Sequence, residues 1–285
     1  MFKSINYFVQ FIFILILFIF ARLIGLKLSR KFFSWFFSFV GPFFKSKKII
    51  ENNLNIFSNN FSIEKKREII SNMWKNYGMT FIEYIYLNIF RKNTHHIKID
   101  GENNLNKLIN KKKPVIFVSG HFANFELMSM EITKKGIKLA TIYRPLNNYF
   151  LNPLMEYLRK KYVCNNQIKK GINGVRDAIN YINKDFSIAL MIDQRVSEGV
   201  KINFFDKPAL TTTLPAQLAI KYNLTVIPVF IERLKEDNFR IEFQNEIDSK
   251  NFKDKIELTK KLNETLEKMI ERNPNQWIWT HNRWK

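Results

Sequence analysis

An apolar run near the start of the chain, residues 5–26, constrains it more than any other feature. Between Tyr7 and Ala21 only Gln10 is strongly polar. With its flanks the run reaches the length of about 20 mostly apolar residues that a helix needs to cross a bilayer. A cleaved signal peptide is the alternative, but the run is long and no small-residue cleavage site follows it. We therefore expect residues 1–28 to form a retained transmembrane anchor.

The cations beside this run predict its orientation. Only Lys3 precedes the run, whereas four cations follow it closely. Because cytoplasmic flanks carry an excess of Lys and Arg, the bulk of the chain is expected in the cytoplasm. The single cysteine, Cys164, excludes an internal disulfide and agrees with a reducing compartment. The four cations are Arg22, Lys27, Arg30 and Lys31.

A second aromatic segment, residues 29–48, follows the anchor. It is too short to span the membrane again, and Gly41-Pro42 interrupts it. Aromatic bulk bracketed by lysines is typical of an element that lies in the membrane interface. The alternative is a core helix that packs on the main domain. Both interpretations are correct if one face of the segment contacts protein and the other contacts lipid.

Alternating apolar runs and helical patterns predict the fold of residues 49–285. Residues 63–91 have apolar residues at helical spacing and predict one or two helices. Beyond them, short apolar runs predict buried strands, and helical patterns separate most of these runs. This alternation predicts an α/β domain with a mostly parallel central sheet flanked by helices. The predicted strands are 114–119, 138–143, 187–192 and 226–231, and the predicted helices are 125–135, 152–161, 172–183 and 213–222.

The last part of the chain predicts a hairpin and one more helix. Residues 226–234 and 239–244, joined around residues 236–238, are expected to form a hairpin at one edge of the sheet. Residues 253–272 predict an amphipathic helix. The tail, residues 273–285, is aromatic and basic and has no clear period.

The excess of Lys and Arg over Asp and Glu indicates which kinds of molecule the chain binds. A formal net charge of +21 indicates an anionic partner: nucleic acid, an anionic membrane surface or an acidic carrier protein. The chain is also rich in Lys, Asn, Ile and Phe, a mix that AT-rich coding favours, so the sign of the charge is more informative than its size. The 28 Phe exclude a disordered chain.

His121 is the strongest catalytic candidate among the four histidines. It follows a predicted strand and Gly120, and a helix is expected to begin near Asn124 or Phe125. In open α/β sheets, sites lie beyond the carboxyl ends of the strands. The standard signatures GxSxG, Walker A, GxGxxG and HExxH do not occur in the sequence. The histidine at the strand end is therefore the best starting point for a site.

Glu126 is the expected partner of His121. The two side chains can meet if His121 lies in the turn and Glu126 in the first helical turn. A carboxylate bonded to one imidazole nitrogen fixes the tautomer and leaves the other nitrogen as a general base. The alternative is that His121 caps the helix and Glu126 offsets its dipole.

The context of this pair, SGHFANFE, resembles the His-x4-Asp/Glu motif of the lipid A biosynthesis lauroyl/myristoyl acyltransferase family. Further segments resemble the same family in order and spacing, from the N-terminal anchor to the C-terminus. They are TIYRPLNN (141–148), MIDQR (191–195), FFDKPALTTTLPAQLA (204–219) and NPNQWIWTHNRWK (273–285).

The resemblance implies a single-pass inner-membrane enzyme whose catalytic domain faces the cytoplasm. It implies transfer of a fatty acyl chain from acyl carrier protein to a hydroxyl of a lipid A precursor. His121 would deprotonate that hydroxyl, with Glu126 orienting or charging the imidazole, so no serine or cysteine nucleophile is required. The implied partners are acyl carrier protein, an anionic glycolipid and the membrane, without nucleic acid, and no metal or cofactor is expected.

Five further residues are expected to bind substrate. Arg144 ends a predicted strand, and its planar guanidinium suits a phosphate or a developing oxyanion; a surface salt bridge is the alternative. Asp193 and Gln194 end another strand, where the aspartate holds Arg144 or binds the acceptor. Asn124, inside the His-x4-Glu motif, and Lys170 complete the set, with Lys170 either contacting a phosphate or belonging to a solvated basic face.

An acyltransferase also requires a hydrophobic groove, and the Phe-rich segment 32–44 is expected to form part of its mouth. Two alternatives to this function remain open. One is an acyltransferase that acts on another glycolipid or lipid. The other is a membrane-tethered protein whose basic face binds nucleic acid or anionic lipid without catalysis. A structure in which the strand-end histidine, glutamate, arginine and aspartate share one crevice favours an enzyme.

Overall fold

The computed structural model describes residues 2–111, 113–235 and 238–285, with the backbone alone for residues 107–111. A short 3-10 turn, Tyr84–Tyr86, connects two of the helices. The helices are α1 (Phe2–Phe44), α2 (Lys47–Phe57), α3 (Ile63–Glu83), α4 (Leu87–Lys92), α5 (Glu102–Lys111), α6 (Glu126–Lys134), α7 (Asn152–Tyr162), α8 (Ile172–Ile182), α9 (Leu214–Tyr222) and α10 (Lys255–Arg272). The strands are β1 (Ile97–Asp100), β2 (Ile116–Ser119), β3 (Leu139–Tyr143), β4 (Asn166–Lys169), β5 (Ser187–Met191), β6 (Val200–Phe204), β7 (Lys207–Thr211), β8 (Thr225–Arg233), β9 (Phe239–Phe243) and β10 (Ile247–Asp248).

The central sheet has the strand order β1-β9-β8-β2-β5-β3-β4, and β10 pairs with β8. From β8 to β4 the neighbouring strands run parallel. Strand β9 runs antiparallel to β8, and β1 runs parallel to β9. The predicted α/β fold with a mostly parallel sheet is therefore confirmed, as are the predicted helices on either side of the strands.

Some short strands escape the sequence pattern. The hairpin expected at 226–234 and 239–244 is β8 and β9, but it does not form the edge of the sheet because β1 pairs with β9. Its predicted turn at residues 236–238 lies in part, at 236 and 237, outside the described residues. The pattern also predicts neither β4 nor the separate β6–β7 hairpin. These strands are short and mix polar with apolar residues, as in the NQIK of β4.

The sheet is buried on both faces because helices cover both. Along β2 the side chains alternate between two core clusters: Ile116 and Val118 pack with α9 and α10 on one face, and Phe117 packs with α6 on the other. All of these side chains are buried. A parallel strand covered on both sides is apolar throughout, which is why its sequence reads as a continuous apolar run.

Helix α1 breaks at Gly25, whose φ of 76° and ψ of 166° lie outside the helical range. A break of this kind interrupts the regular amide bonds to the preceding carbonyls. The hydroxyls of Tyr86 and Ser29 donate to the carbonyl of Ala21 at 2.5 Å and 2.9 Å. The break is therefore supported by packing on the domain, and α1 continues through the boundary predicted at residue 28. Among the described helices, α1 is long and apolar enough to cross a membrane.

The aromatic part of α1 after the break has one face on the protein and one face exposed. Phe33 is buried against α3, where Gly78 permits close approach: a Cβ there would lie 2.2 Å from the Phe33 carbonyl oxygen. Trp35, Phe39 and Phe43 are exposed on the other side. The segment 29–48 thus packs on the domain through one face, and contact of its other face with lipid stays a prediction.

One fully buried carboxylate, Glu83 at the end of α3, ties several elements together. Arg30 of α1 donates to it through Nε at 2.7 Å, and Arg233 of β8 donates through both terminal nitrogens at 2.5 Å and 3.0 Å. The amide of Asn124, from the turn after β2, donates at 2.9 Å. The apolar helix α1, the central sheet and the turn after β2 therefore all donate hydrogen bonds to the same buried carboxylate.

Glu83→Gln is expected to lower the free energy of unfolding by about 3–5 kcal/mol, because it leaves two buried guanidinium groups without their carboxylate. Denaturant unfolding in detergent micelles, followed by tryptophan fluorescence, measures the loss. Glu68→Gln is the matched control, since Glu68 is an exposed carboxylate on the same helix and its change stays within about 0.5 kcal/mol. A loss for Glu83→Gln no larger than the control would contradict the role given to this cluster.

Candidate active site

Residues from four neighbouring parallel strands meet at one edge of the sheet. His121 follows β2, Arg144 follows β3, Lys170 follows β4, and Asp193 and Gln194 follow β5. Since the strands run parallel in the order β2-β5-β3-β4, their carboxyl ends lie side by side. This is the edge at which open α/β sheets hold their ligands.

Asp193 holds His121 through both the backbone and the ring. Its Oδ1 lies 2.7 Å from Nδ1 of His121, and its Oδ2 accepts from the backbone amide of His121 at 2.8 Å. The indole of Trp277 donates to the same Oδ2 at 2.9 Å. The aspartate is only 3% exposed. The carboxylate therefore fixes the position and the orientation of the imidazole.

The charge of Asp193 determines which imidazole nitrogen carries the proton. Burial acts to raise the pKa of Asp193, but the charge of His121 and the hydrogen bonds from His121 and Trp277 outweigh it and lower the pKa to about 2. The aspartate is thus ionised at neutral pH and can only accept. Nδ1 of neutral His121 is then the donor, and Nε2 carries the lone pair.

The C-terminal tail fixes the turn that carries His121. Phe122 forms an isolated antiparallel bridge with Trp277, and the amide of Ala123 donates to the carbonyl of Gln276 at 3.2 Å. Gly120 is required here because a Cβ at this position would lie 2.7 Å from the ring of Phe122. The tail, which has no period in the sequence, is therefore part of the site.

Glu126 does not contact His121. Its Oε1 accepts from the hydroxyl of Tyr84 at 2.5 Å and from Nε of Arg159 at 2.7 Å, and Arg159 also donates to Tyr84 at 2.9 Å. The expectation that Glu126 hydrogen-bonds to the imidazole is wrong, because α6 begins at Glu126 and directs its carboxylate towards α7. Asp193, from the neighbouring strand β5, takes the position next to the imidazole.

Asn124 also differs from the expectation. Its side chain is 1% exposed, donates to Glu83 and does not line the cavity described below. The expected role in binding substrate is therefore wrong for this side chain. Asn124 instead belongs to the buried cluster around Glu83, and through it this cluster holds the turn after β2 in place.

A cavity of about 670 Å³ lies beside His121. This volume is in the range typical of small-molecule sites. Glu126, Arg144, Lys170 and Gln194 line it together with His121, whereas Asp193 lies behind the imidazole. Much of the remaining wall is apolar: Phe18, Met73, Tyr77, Phe81, Phe125, Met128, Leu151 and Met155.

The N-terminal helix enters this wall at a different point from the one expected. Phe18, before the break, lines the cavity, and so does Lys45, directly after α1, whereas none of residues 32–44 does. The aromatic residues 32–44 therefore do not line the cavity as expected, and the segment 29–48 reaches it only through Lys45. The second half of α1 packs on α3 instead, where Phe37 stacks on Tyr77 with ring centroids 5.9 Å apart.

Two cations, Arg144 and Lys170, stand at the cavity. Arg144 and Lys170 are exposed residues that follow neighbouring strands, and the amide of Lys170 donates to the carbonyl of Tyr143 at 2.8 Å. Desolvation and then the charge of Arg144 lower the pKa of Lys170. Asp193 pairs with His121 and not with Arg144, which differs from the expectation that it holds the arginine.

Several residues of the site are not predicted from the sequence. Tyr84 and Arg159 lie in segments whose apolar spacing predicts helices, and nothing in the sequence around them indicates a site residue. His281 lies in the tail, and only the resemblance of the tail to the family indicates that this histidine belongs to the site. The amide of Arg195 donates to Nε2 of His281 at 2.8 Å, and burial lowers the pKa of His281 to about 4.

Within the described part of the chain, no group of three or more His, Cys, Asp or Glu side chains is arranged to hold a metal ion.

An imidazole held by a carboxylate beside a largely apolar cavity is an arrangement that an acyltransferase can use. The chain matches the family described as bacterial lipid A biosynthesis acyltransferase over residues 1–285. It belongs to that family.

The chain is similar to two curated proteins. The lipid A biosynthesis palmitoleoyltransferase of Escherichia coli (strain K12) is 25% identical over 255 residues, which cover 86% of this chain and 80% of the relative. The lipid A biosynthesis acyltransferase of Shigella flexneri has the same identity and coverage. Among solved structures, the 1-acyl-sn-glycerophosphate acyltransferase PlsC of Thermotoga maritima has a TM-score of 0.42 and 15% identity, over 89% of this chain and 100% of that one.

Acidification is expected to destabilise the fold through His281. The folded-state pKa of about 4 lies below the ordinary value of 6.5, so the unfolded chain binds this proton more readily. The stability that depends on neutral His281 is complete above about pH 6.5 and is lost as the pH falls towards 4. His281→Gln should reduce the fall of the thermal midpoint with decreasing pH over this window in detergent. A part of the fall should remain, because burial also lowers the pKa of His96 to about 4. His95→Gln, which changes an exposed histidine, should leave the slope as in the wild type; equal slopes in all three proteins would contradict the assignment.

Proposed function

We propose that this acyltransferase moves a fatty acyl chain from acyl carrier protein to a hydroxyl of a lipid A precursor at the cytoplasmic face of the inner membrane. The observation that carries the proposal is the 2.7 Å contact between Nδ1 of His121 and the ionised Asp193. It leaves the lone pair on Nε2 of a side chain that lines a mainly apolar cavity. A general base beside space for an acyl chain is what direct transfer from a thioester to an alcohol needs.

The reaction follows from this arrangement in two proton transfers. Nε2 of His121 takes the proton of the acceptor hydroxyl while its oxygen attacks the thioester carbonyl carbon. A C–O bond forms, and the tetrahedral oxyanion collapses with cleavage of the C–S bond. The imidazolium returns the proton to the leaving thiolate. Asp193 stabilises the imidazolium between these transfers, as a buried carboxylate beside a catalytic histidine does.

The other polar residues of the cavity have distinct proposed roles. Arg144, Lys170 and Gln194 supply donors for a phosphate of either substrate or for the developing oxyanion. Glu126 acts through Arg159, which its carboxylate holds at the cavity wall at 2.7 Å. The ion pair keeps the guanidinium oriented in a mainly apolar surrounding.

The charge of the chain supports both proposed partners. Acyl carrier protein is acidic and the lipid A precursor is an anionic glycolipid, and a net charge of +21 attracts both. Apolar α1, with cations around it, is suited to bring the cavity to the membrane in which the acceptor resides.

His121→Ala and Asp193→Asn are each expected to lower kcat by about 10²–10⁴, because the first removes the base and the second removes the charge that orients it. Turnover of acyl carrier protein thioester with a lipid A precursor, in detergent or vesicles, measures the loss. Asp177→Asn, at an exposed position on α8, is the control and should retain activity. Near-normal turnover in both site variants would end the assignment of His121 as the base.

The proposed donor and acceptor are tested directly by product analysis. Cells that contain the protein should yield lipid A heavier by one acyl chain than cells that lack it, as read by mass spectrometry. The purified protein should prefer the carrier-protein thioester over the coenzyme A thioester of the same acyl chain. An unchanged lipid A mass would contradict the acceptor, and equal use of both thioesters would contradict recognition of the carrier.

A further inference from the structure

The first half of α1 is packed against a loop of the α/β domain, residues 145–151, which we call the post-Arg144 loop. The amide of Asn148 donates to the carbonyl of Tyr7 at 2.8 Å, and the hydroxyl of Tyr149 donates to Oγ of Ser4 at 2.5 Å. The two elements are thus joined by polar contacts as well as by packing. Helix α1 is not attached to the domain by a linker alone.

Ring contacts extend this packing along the helix. Phe150 stacks on Phe11 and meets Phe8 edge-on, with ring centroids 6.4 Å and 5.4 Å away. Further along α1, the ring of Phe18 lies 5.3 Å from that of Phe81. From Tyr7 to Ala21 the helix rises about 21 Å at 1.5 Å per residue. One face of α1 therefore follows the domain over this whole distance.

The opposite face of α1 is an exposed apolar stripe. Its members recur every three or four residues and so lie on one side of the helix. The loop exposes apolar side chains of its own, since Leu146 is 37% and Tyr149 is 53% exposed. An exposed apolar surface of this extent marks an interaction site. The stripe consists of Ile5, Val9, Ile12, Ile16, Ile19 and Leu23.

A lipid bilayer is the occupant that this surface fits. Helix α1 contains no acidic residue, and cations lie at Lys3 before the stripe and at Arg22 and Lys27 near its end. Long basic side chains at the borders of an apolar surface reach the headgroups while their stems stay in apolar surroundings. They also attract anionic lipid.

The depth of the loop follows from its contacts. Because Ser4 and Tyr7 bond to the post-Arg144 loop, the loop and the first turns of α1 lie at the same level. The loop itself contains no charged residue, and Arg144 directly precedes it. A cation at the border of an apolar surface is suited to the headgroup level, so we place the loop at the membrane interface.

The catalytic cavity reaches the same place. Phe18 comes from the domain-facing side of α1 and lines the cavity together with Leu146, Leu151 and Met155. Leu146 is both exposed and part of the cavity wall, so the cavity reaches the protein surface at this residue. An acyl chain that enters here meets the apolar side chains of Leu146, Leu151 and Met155.

We propose that the post-Arg144 loop is a second membrane-seated element and that lipid acyl chains enter the cavity sideways, past Leu146 of this loop. The identity of the entering chain rests on the proposed function, but the seating of the loop and the lateral entrance do not. Each of the two claims has its own experiment.

Fluorescence quenching tests the seating of the loop in the full-length protein. In a Cys164→Ala background, Leu146→Cys is labelled with bimane and the protein is reconstituted into phosphatidylethanolamine–phosphatidylglycerol vesicles that contain doxyl-labelled lipid. The label should lose fluorescence to an extent comparable with a label at Val9→Cys on the stripe. A label at Glu264→Cys, exposed on α10, should lose none. If the doxyl lipid quenches the label at position 146 as little as the label at position 264, the loop does not contact the membrane and the proposal is overturned.

Photocrosslinking tests the lateral entrance. A phospholipid with a diazirine at the end of one acyl chain is irradiated in vesicles with the protein, and adducts are located by mass spectrometry. Adducts are expected on the stripe of α1 and also on Leu151 and Met155 inside the cavity. Met155→Trp should remove the adducts at Leu151 and keep those on the stripe, which also report that the variant is folded and bound.

Entry of the acyl chain can be tested separately from the acyl-transfer reaction. His121→Ala, inactive under the proposed function, should give the same adducts as the wild type, because entry needs no proton transfer. Adducts confined to the outer stripe in all variants would overturn the entrance. Loss of turnover in His121→Ala together with such confined adducts would leave the proposed reaction intact and reject the route.

Discussion

The buried charge of Glu83 is the constraint on which the arrangement of this protein depends. Removing a carboxylate from water is costly, and only well-placed partners offset that cost. Here the partners come from three separate places: Arg30 from α1, Arg233 from β8 and Asn124 from the turn after β2. The membrane-type helix, the sheet and the turn that carries the candidate base cannot move independently, because each supplies a partner to the same charge.

A second buried carboxylate organises the chemistry. Asp193 accepts from the backbone and ring of His121 and from the indole of Trp277, so one side chain joins strand β5, the turn after β2 and the C-terminal tail. The site is therefore completed only when the last residues of the chain have folded back onto the sheet. Its base is held by rigid elements, which keeps the imidazole in one tautomer and one orientation.

Helix α1 serves the membrane and the cavity with its two faces. Its exposed face is apolar without a single acidic residue, and its inner face packs on the domain and supplies Phe18 to the cavity wall. The break at Gly25 lets the two halves of the helix pack on different surfaces, and the hydroxyls of Tyr86 and Ser29 bond to a carbonyl at the break. An apolar surface suited to a membrane and a part of the cavity wall are thus properties of one element.

By itself the sequence determined the elements of this protein and the edge of the sheet at which its site lies. Apolar runs and helical spacing are local, and the position of His121 after a strand needs only the rule that parallel strands share a carboxyl edge. The tertiary structure alone decided which carboxylate meets the imidazole. Spacing along the chain favoured Glu126, whereas strand order put Asp193 beside the ring and turned Glu126 towards Arg159. Which strands become neighbours, and where the tail returns, depends on burial across the whole domain, and no local pattern contains that information.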